Sequence, residues 1–274
     1  MKRTYIITAI LLVIFGCNTN NLTIIHTSDT HSHTEPESSN KGGIVGRSLC
    51  INQIADSAGK DNTLLFDCGD FSQGSLYYNT YKGAFEIKTM NLLGYDAAAI
   101  GNHEFDFGLD NLARLINMAQ FPFVCCNLDF TGTPCEGVVK PYTVIERSGH
   151  KIGVFGISPD LNGLVLKENF TGVKFLPPIE SAQRSINALR NEGCDIIVCL
   201  SHLGWKIANR DNDEKLAAAT EGIDIILGGH SHDTFGKPLR YKNKSGKEVI
   251  LNHTGKNGRN IGVINIRYDV YDKK

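Results

Sequence analysis

Five apolar runs of four to six residues, each ending abruptly in a polar cluster of Asp, Asn, His or Gly, set the rhythm of this chain. They lie at 22–25, 63–66, 95–100, 195–200 and 223–227. Runs this short, bounded by turn-forming residues, predict buried strands. Apolar positions recur at helical spacing over 44–58, 84–93, 109–118 and 179–189, and Gly59, Gly94 and Gly193 predict where three of these helices stop. A further strand over 121–126 ends at Asn127, and 142–146 and 151–157 flank Ser148-Gly149, a hairpin signal. The tail from 235 to 268 alternates apolar and polar residues around Ser245-Gly246 and Asn257-Gly258, which predicts antiparallel strands to the end. Strands alternating with helices, with hairpins added, predict an α/β class with mixed sheets.

Size and charge narrow this only slightly. With 274 residues, 41% of them hydrophobic, the chain is long enough for one large core. A formal net charge of −1, with Lys and Arg dispersed, excludes a nucleic acid polymer as the main partner.

The amino terminus breaks the pattern. Lys2-Arg3, a mostly apolar run over 5–15 and Gly16-Cys17 form the three-part layout of a secretory signal, with an apolar run too short to span a bilayer. Ile14, Gly16 and Cys17 resemble a bacterial lipobox, although Phe15 is atypical there. Residues 1–21 are therefore expected to be a lipoprotein signal peptide and polar tether, lipidated at Cys17, followed by one folded domain over 22–274. That arrangement implies a membrane-anchored lipoprotein of the bacterial cell envelope, facing the periplasm or the exterior. An ordinary cleaved signal is the alternative. The remaining cysteines show no repeated spacing, so no disulfide framework is expected.

The chemistry gathers at the strand ends. Asp29 and His31, two apart, would project the same way along an extended segment. Gly69 presents Asp70; Asn102 and His103 follow the third run, His202 the fourth, and His230 and His232 the fifth. Nitrogen and oxygen donors without cysteine suit Mn, Zn, Fe or Co rather than Ca or Mg. So many donors at one edge exceed the needs of one ion. A buried set of this kind would be costly without a cation to compensate it. His26 falls within an apolar run and reads as a packed core histidine. His33 reads as a neighbour of the ligands, His150 as a solvated turn residue, and His253 as the remaining functional candidate.

Asp-x-His, Gly-Asp, Gly-Asn-His-Glu, a lone His and Gly-His-x-His, in that order, resemble the calcineurin-like metallophosphoesterases. The longer stretches Gly101-Asn102-His103-Glu104-Phe105-Asp106 and Leu227-Gly228-Gly229-His230-Ser231-His232 resemble the catalytic domain of 5′-nucleotidases. The resemblance implies a four-layer sandwich of two mixed β-sheets flanked by helices. It implies two divalent transition metal ions, one held by Asp29, His31, Asp70 and His232 and the other by Asp70, Asn102, His202 and His230. His232 stands where family members often carry Gln or Asn. It further implies a phosphomonoesterase acting by in-line attack of a metal-bridging hydroxide, most readily on nucleoside monophosphates. In that scheme Asn102 and His103 bind the substrate, His103 stabilises or protonates the leaving group, and Asp106 orients His103. Asn127 is a weaker substrate-binding candidate, and Glu104 has structural hydrogen bonding as its default.

A 2′,3′-cyclic nucleotide or a sulfur-linked ester would suit the same site, and a non-catalytic metal-binding lipoprotein is the third reading. The resembled nucleotidases recognise the base through a second, C-terminal domain. Here either a separate polypeptide is expected to supply it, or the base matters less.

Overall fold

The computed structural model describes residues 21–37 and 41–267. The expected signal segment and Cys17 lie outside them. Asn21, expected in the tether, is instead the first residue of strand β1 (Asn21–Thr27), opposite Arg267.

One sheet has the order β13-β1-β2-β3-β4, from Gly262–Arg267 (β13), β1, Thr63–Asp67 (β2), Ala97–Ala99 (β3) and Phe123–Val124 (β4). Strands β1 to β4 are mutually parallel, and β13 closes the edge antiparallel to β1. The second sheet has the order β11-β12-β10-β9-β7-β6, from Leu239–Lys242 (β11), Glu248–His253 (β12), Ile225–Gly228 (β10), Ile196–Ser201 (β9), His150–Ile157 (β7) and Tyr142–Arg147 (β6). Its four central strands are parallel and its two edge strands antiparallel. A small antiparallel pair, Leu128–Asp129 (β5) and Lys174–Phe175 (β8), stands apart.

Side-chain alternation makes this a sandwich. In β9, Ile196, Val198 and Leu200 face the other sheet, while Ile197 and Cys199 face outward. In β1 and β2, Leu22, Ile24, Leu64 and Phe66 share that inner core, and Ile25 and Leu65 face the opposite way. Helices Ile44–Ala58 (α1), Ala84–Leu93 (α3) and Gly108–Met118 (α4) cover the first sheet with Ile51, Ile87 and Leu112. Helices Pro178–Asn191 (α5) and Asp213–Ala219 (α6) cover the second with Ile186, Leu189 and Leu216. The result is the expected four layers. Each fully buried side chain of this kind contributes roughly 1.5–3 kcal/mol.

Three expectations change. The tail is not an antiparallel run to the end: β11 and β12 form the hairpin, but β12 pairs parallel to β10 and β13 crosses to the other sheet. Apolar residues on both faces of β12 allow it a central place, and β13 covers an edge that β1 would otherwise expose. The strand expected over 121–126 is regular only at β4, because Cys126 N–H turns across to donate to the Gly156 carbonyl of the other sheet at 2.9 Å. Helix Leu76–Tyr81 (α2) and α6 have no long apolar period. Each is set instead by an N-cap, Ser75 accepting from Tyr78 N and Asn212 from Lys215 N.

The sheets approach closely at Gly156, where a Cβ would lie 1.9 Å from the Val124 carbonyl oxygen. Gly156→Ala should therefore lower unfolding free energy by about 3 kcal/mol or more, read from urea denaturation. A loss below ~1 kcal/mol would show that the sheets can part there.

His26 in β1 is fully buried, as expected of a core histidine, and burial followed by the charge of His253 lowers its pKa to about 3. The unfolded ring titrates near 6.5, so between pH 3 and 6.5 the unfolded state binds more protons and stability falls as pH falls. His26→Gln should flatten the pH dependence of unfolding free energy in that window by close to one proton. An unchanged slope would contradict the burial of a neutral ring.

Candidate metal centre

All the predicted donors meet at the carboxyl edge of the parallel strands, which is where loops in layered α/β folds carry chemistry. Asp29 and His31 follow β1, Asp70 follows β2, Asn102 follows β3, His202 follows β9, and His230 and His232 follow β10. Ligand atoms of Asp29, His31 and His232 lie within 4.8 Å of one another, as do those of Asp70, His202 and His230, and those of His31, Asp70 and His103.

The local backbone is not the one the sequence suggested. Asp29 and His31 are left-handed, at φ 50° and 44°, so strand alternation does not bring them together. Asp70, His230 and His232 share that conformation at 55°, 70° and 59°. A positive φ is uncommon for residues other than glycine and clusters at functional sites. Here the turned backbone is tied down: Asp29 N donates to Gly69 O at 2.9 Å, His31 N to Asp70 O at 3.0 Å, and Asn257 N to Asp29 O at 2.7 Å. Gly101 allows the third loop to approach, since a Cβ there would sit 2.2 Å from an Asp70 carboxylate oxygen.

Glu104, without an assigned role in the sequence reading, joins two loops. One carboxylate oxygen accepts from Asp70 N at 2.9 Å and Gly101 N at 2.7 Å, and the other from Ser72 N at 3.1 Å. His202 Nδ1 donates to Cys68 O at 2.7 Å, which turns Nε2 to within 3.0 Å of Asp70. His31 Nδ1 lies 3.3 Å from Ser72 O, and its Nε2 sits 3.1 Å from His232 Nε2. Two imidazole lone pairs this close require a proton or a cation between them.

Electrostatics agree with a cation site. Burial pushes the Asp29 carboxyl up to about 7. Burial opposes ionisation of Asp70 too, but the adjacent His202 outweighs it and holds Asp70 below the usual carboxylate range. The Asp70 charge likewise overcomes burial at His202 and raises that ring to about 10. Burial lowers His31 to about 4 and, with the His202 charge, His230 to about 3, so both rings are neutral and offer lone pairs to a metal. Asn102 Oδ1 is buried and finds no hydrogen-bond partner among the described residues. An orphan carbonyl, neutral imidazoles and crowded carboxylates fit a site for divalent ions.

His103 stands beside these donors. Its Nδ1 lies 3.0 Å from Asp106, and its backbone N donates to Asp70 Oδ1 at 2.9 Å. Burial works against its charged form, but Asp106 and then Asp70 raise its pKa.

The chain matches the calcineurin-like phosphoesterase family over residues 22–234. It belongs to that family. The two-sheet sandwich is accordingly the metallo-dependent phosphatase fold, and the family uses divalent metals. Among its relatives, the snake venom 5′-nucleotidase of Gloydius brevicauda is 31% identical over 274 residues, covering 90% of this chain and 45% of the relative. The 5′-nucleotidase of Homo sapiens is 32% identical, covering 89% of this chain and 44% of the relative. The solved 5′-nucleotidase precursor of Thermus thermophilus superposes with a TM-score of 0.83 at 34% identity, covering 91% of this chain and 52% of that one. The chain thus spans about half the length of the curated relatives it matches.

Other candidates fall elsewhere in the chain. Asn127 is buried with its amide donating to Ser158 O at 2.7 Å and its carbonyl accepting from Ser158 N at 2.8 Å; it joins two strand ends instead of facing a substrate. His150 is half-buried, 3.8 Å from the Asp195 carboxylate, rather than solvated. His253 is buried 2.7 Å from Asp213, whose other oxygen accepts from Ser201 Oγ, behind the His230 loop. His33 is half-buried and belongs to no donor group among the described residues. Sequence reading missed Asn169, whose side chain donates to Asp106 O at 2.9 Å; nothing in its surroundings in the sequence marks it.

In Glu104→Gln an N–H₂ group would face at least one backbone N–H. Divalent-ion affinity should fall about 10–100-fold in competition titration against a chromophoric chelator. Wild-type affinity would overturn the role assigned to Glu104.

Proposed function

We propose that this chain hydrolyses phosphate monoesters, nucleoside monophosphates foremost. The observation that carries the reading is the grouping of donors on both sides of Asp70, with the His103–Asp106 pair standing beside them. Asp29, His31, Asp70 and His232 would hold one divalent ion, and Asp70, Asn102, His202 and His230 a second. When bound, such ions acidify water and screen charge on a phosphoryl group.

The protein's own groups do the rest. Cys68 O and Ser72 O hold the rings of His202 and His31 from behind, so Nε2 of each faces the pocket; an ion would take the place of the His202 Nε2 proton. Glu104 and the Asp70–His103 backbone bond fix the spacing between the loops that carry Asp70 and Asn102. Asp106 accepts from His103 Nδ1, which leaves Nε2 as the nitrogen available to the ester. From there it donates to a phosphoryl oxygen or delivers a proton to the leaving alcohol. The likeness to 5′-nucleotidases over most of this chain supports a nucleotide as the ester.

The purified chain should release phosphate from nucleoside monophosphates, with 2′,3′-cyclic nucleotides and aryl phosphates as comparators and Mn, Co and Zn tried in turn. Failure on every phosphomonoester with all three ions would end the proposal. His103→Ala should retain metal, measured by elemental analysis, while kcat falls about 10²–10⁴-fold. A variant with near wild-type turnover would remove His103 from the reaction.

A further inference from the structure

A cavity of about 460 Å³ opens beside His230. Its volume lies within the roughly 300–1,000 Å³ range of small-molecule sites. One wall is apolar: Pro159 after β7, Phe175 at the end of β8, and Pro178 at the start of α5. The other is the polar loop after β9, with Asn209, Arg210 and Asp211.

Both walls are anchored. Phe175 is 38% exposed, yet its backbone is fixed by pairing with Leu128 and by Leu176 N donating to Asn127 O at 2.9 Å. A partly exposed aromatic side chain is thus carried on hydrogen-bonded backbone at the cavity wall. Lys215 Nζ donates to Arg210 O at 2.8 Å, tying the loop to α6. His230 itself lines the cavity, so the cavity adjoins the candidate metal donors directly.

The chemistry of the walls selects among ligands. A hydrocarbon would desolvate Arg210 and Asp211 without giving them partners, and a second phosphate would meet the carboxylates of Asp160 and Asp211 as well as Arg210. A planar heterocycle suits both walls at once: its face takes Phe175 and the prolines, while its edge offers donors and acceptors to Asn209, Arg210 and Asp211. We propose that this cavity is a nucleobase subsite built into the chain itself, with Phe175 as its stacking platform. The proposal rests on the phosphoesterase reading, because a phosphoryl group beside His230 is what directs the rest of a nucleotide into the cavity.

Two measurements on wild type, Phe175→Ala, Phe175→Tyr and Arg210→Ala test it. The first is calorimetric binding of adenosine and uridine, which carry no phosphate. The second is the ratio of kcat/KM for adenosine 5′-monophosphate to that for ribose 5-phosphate. Wild type should favour the nucleotide at least tenfold, and Phe175→Ala should lower nucleoside affinity and that ratio about five- to hundredfold, the range of a stacking interaction, mainly through KM. Phe175→Tyr should restore both, and Arg210→Ala should shift the preference between adenosine and uridine. Circular dichroism shows that each variant is folded.

Hydrolysis with a ratio unmoved by Phe175→Ala would overturn the subsite and leave the phosphoesterase reading standing. Nucleoside binding that depends on Phe175, in a chain that hydrolyses no ester, would do the reverse. Nucleoside binding unaffected by Phe175→Ala would also overturn the subsite.

Discussion

Three backbone N–H groups from two loops converge on the carboxylate of Glu104, and the geometry of the centre depends on that convergence. The Asp70 loop and the Gly101 loop leave neighbouring strands in strained or tightly packed conformations. Their buried amides would otherwise go unpaired, at a cost of roughly 1–3 kcal/mol each. Glu104 satisfies them and so sets where Asp70, Asn102 and His103 stand relative to one another. The side chain touches no reacting atom under the proposed scheme, yet the positions of those that do follow from it.

The sandwich makes such a concentration of polar groups tolerable. Two sheets present their carboxyl ends to one edge, so donors arrive from five different strands while the apolar alternation below them stays intact. Each loop begins where the strand ladder gives out and is pinned by backbone bonds to its neighbour, as between 29–32 and 69–71. Rigid elements therefore hold the site from beneath. Burial leaves His31 and His230 neutral, while Asp70 and His202 charge one another. Donors with lone pairs and fixed negative charge gathered at one largely buried edge are what a divalent ion requires.

Much of this is legible in the sequence. Every metal donor named from the sequence lies at the predicted edge, because a short buried run followed by Asp, Asn or His has few other places to put those side chains. Local conformation was less legible. Asp29 and His31 meet through left-handed backbone rather than through strand alternation, and only the neighbouring chain, with Gly69 O and Asp70 O as acceptors, stabilises that conformation. Asn127 looked like a residue at a strand's open end, but Ser158 takes both halves of its amide. The short helices α2 and α6 depend on single caps that a periodicity reading overlooks.

The sequence by itself determined the class of the fold, the family and which residues are the candidate donors, since the first follows from hydrophobic period and the others from the order and spacing of the Asp, Asn and His motifs. Only the tertiary structure decided what Glu104 and Asn169 do, which sheet the last strand joins, and that an aromatic wall stands beside His230. These depend on contacts between residues tens to hundreds of positions apart. Local propensity carries no information about such contacts, because their energy arises only when the two sheets close on one another.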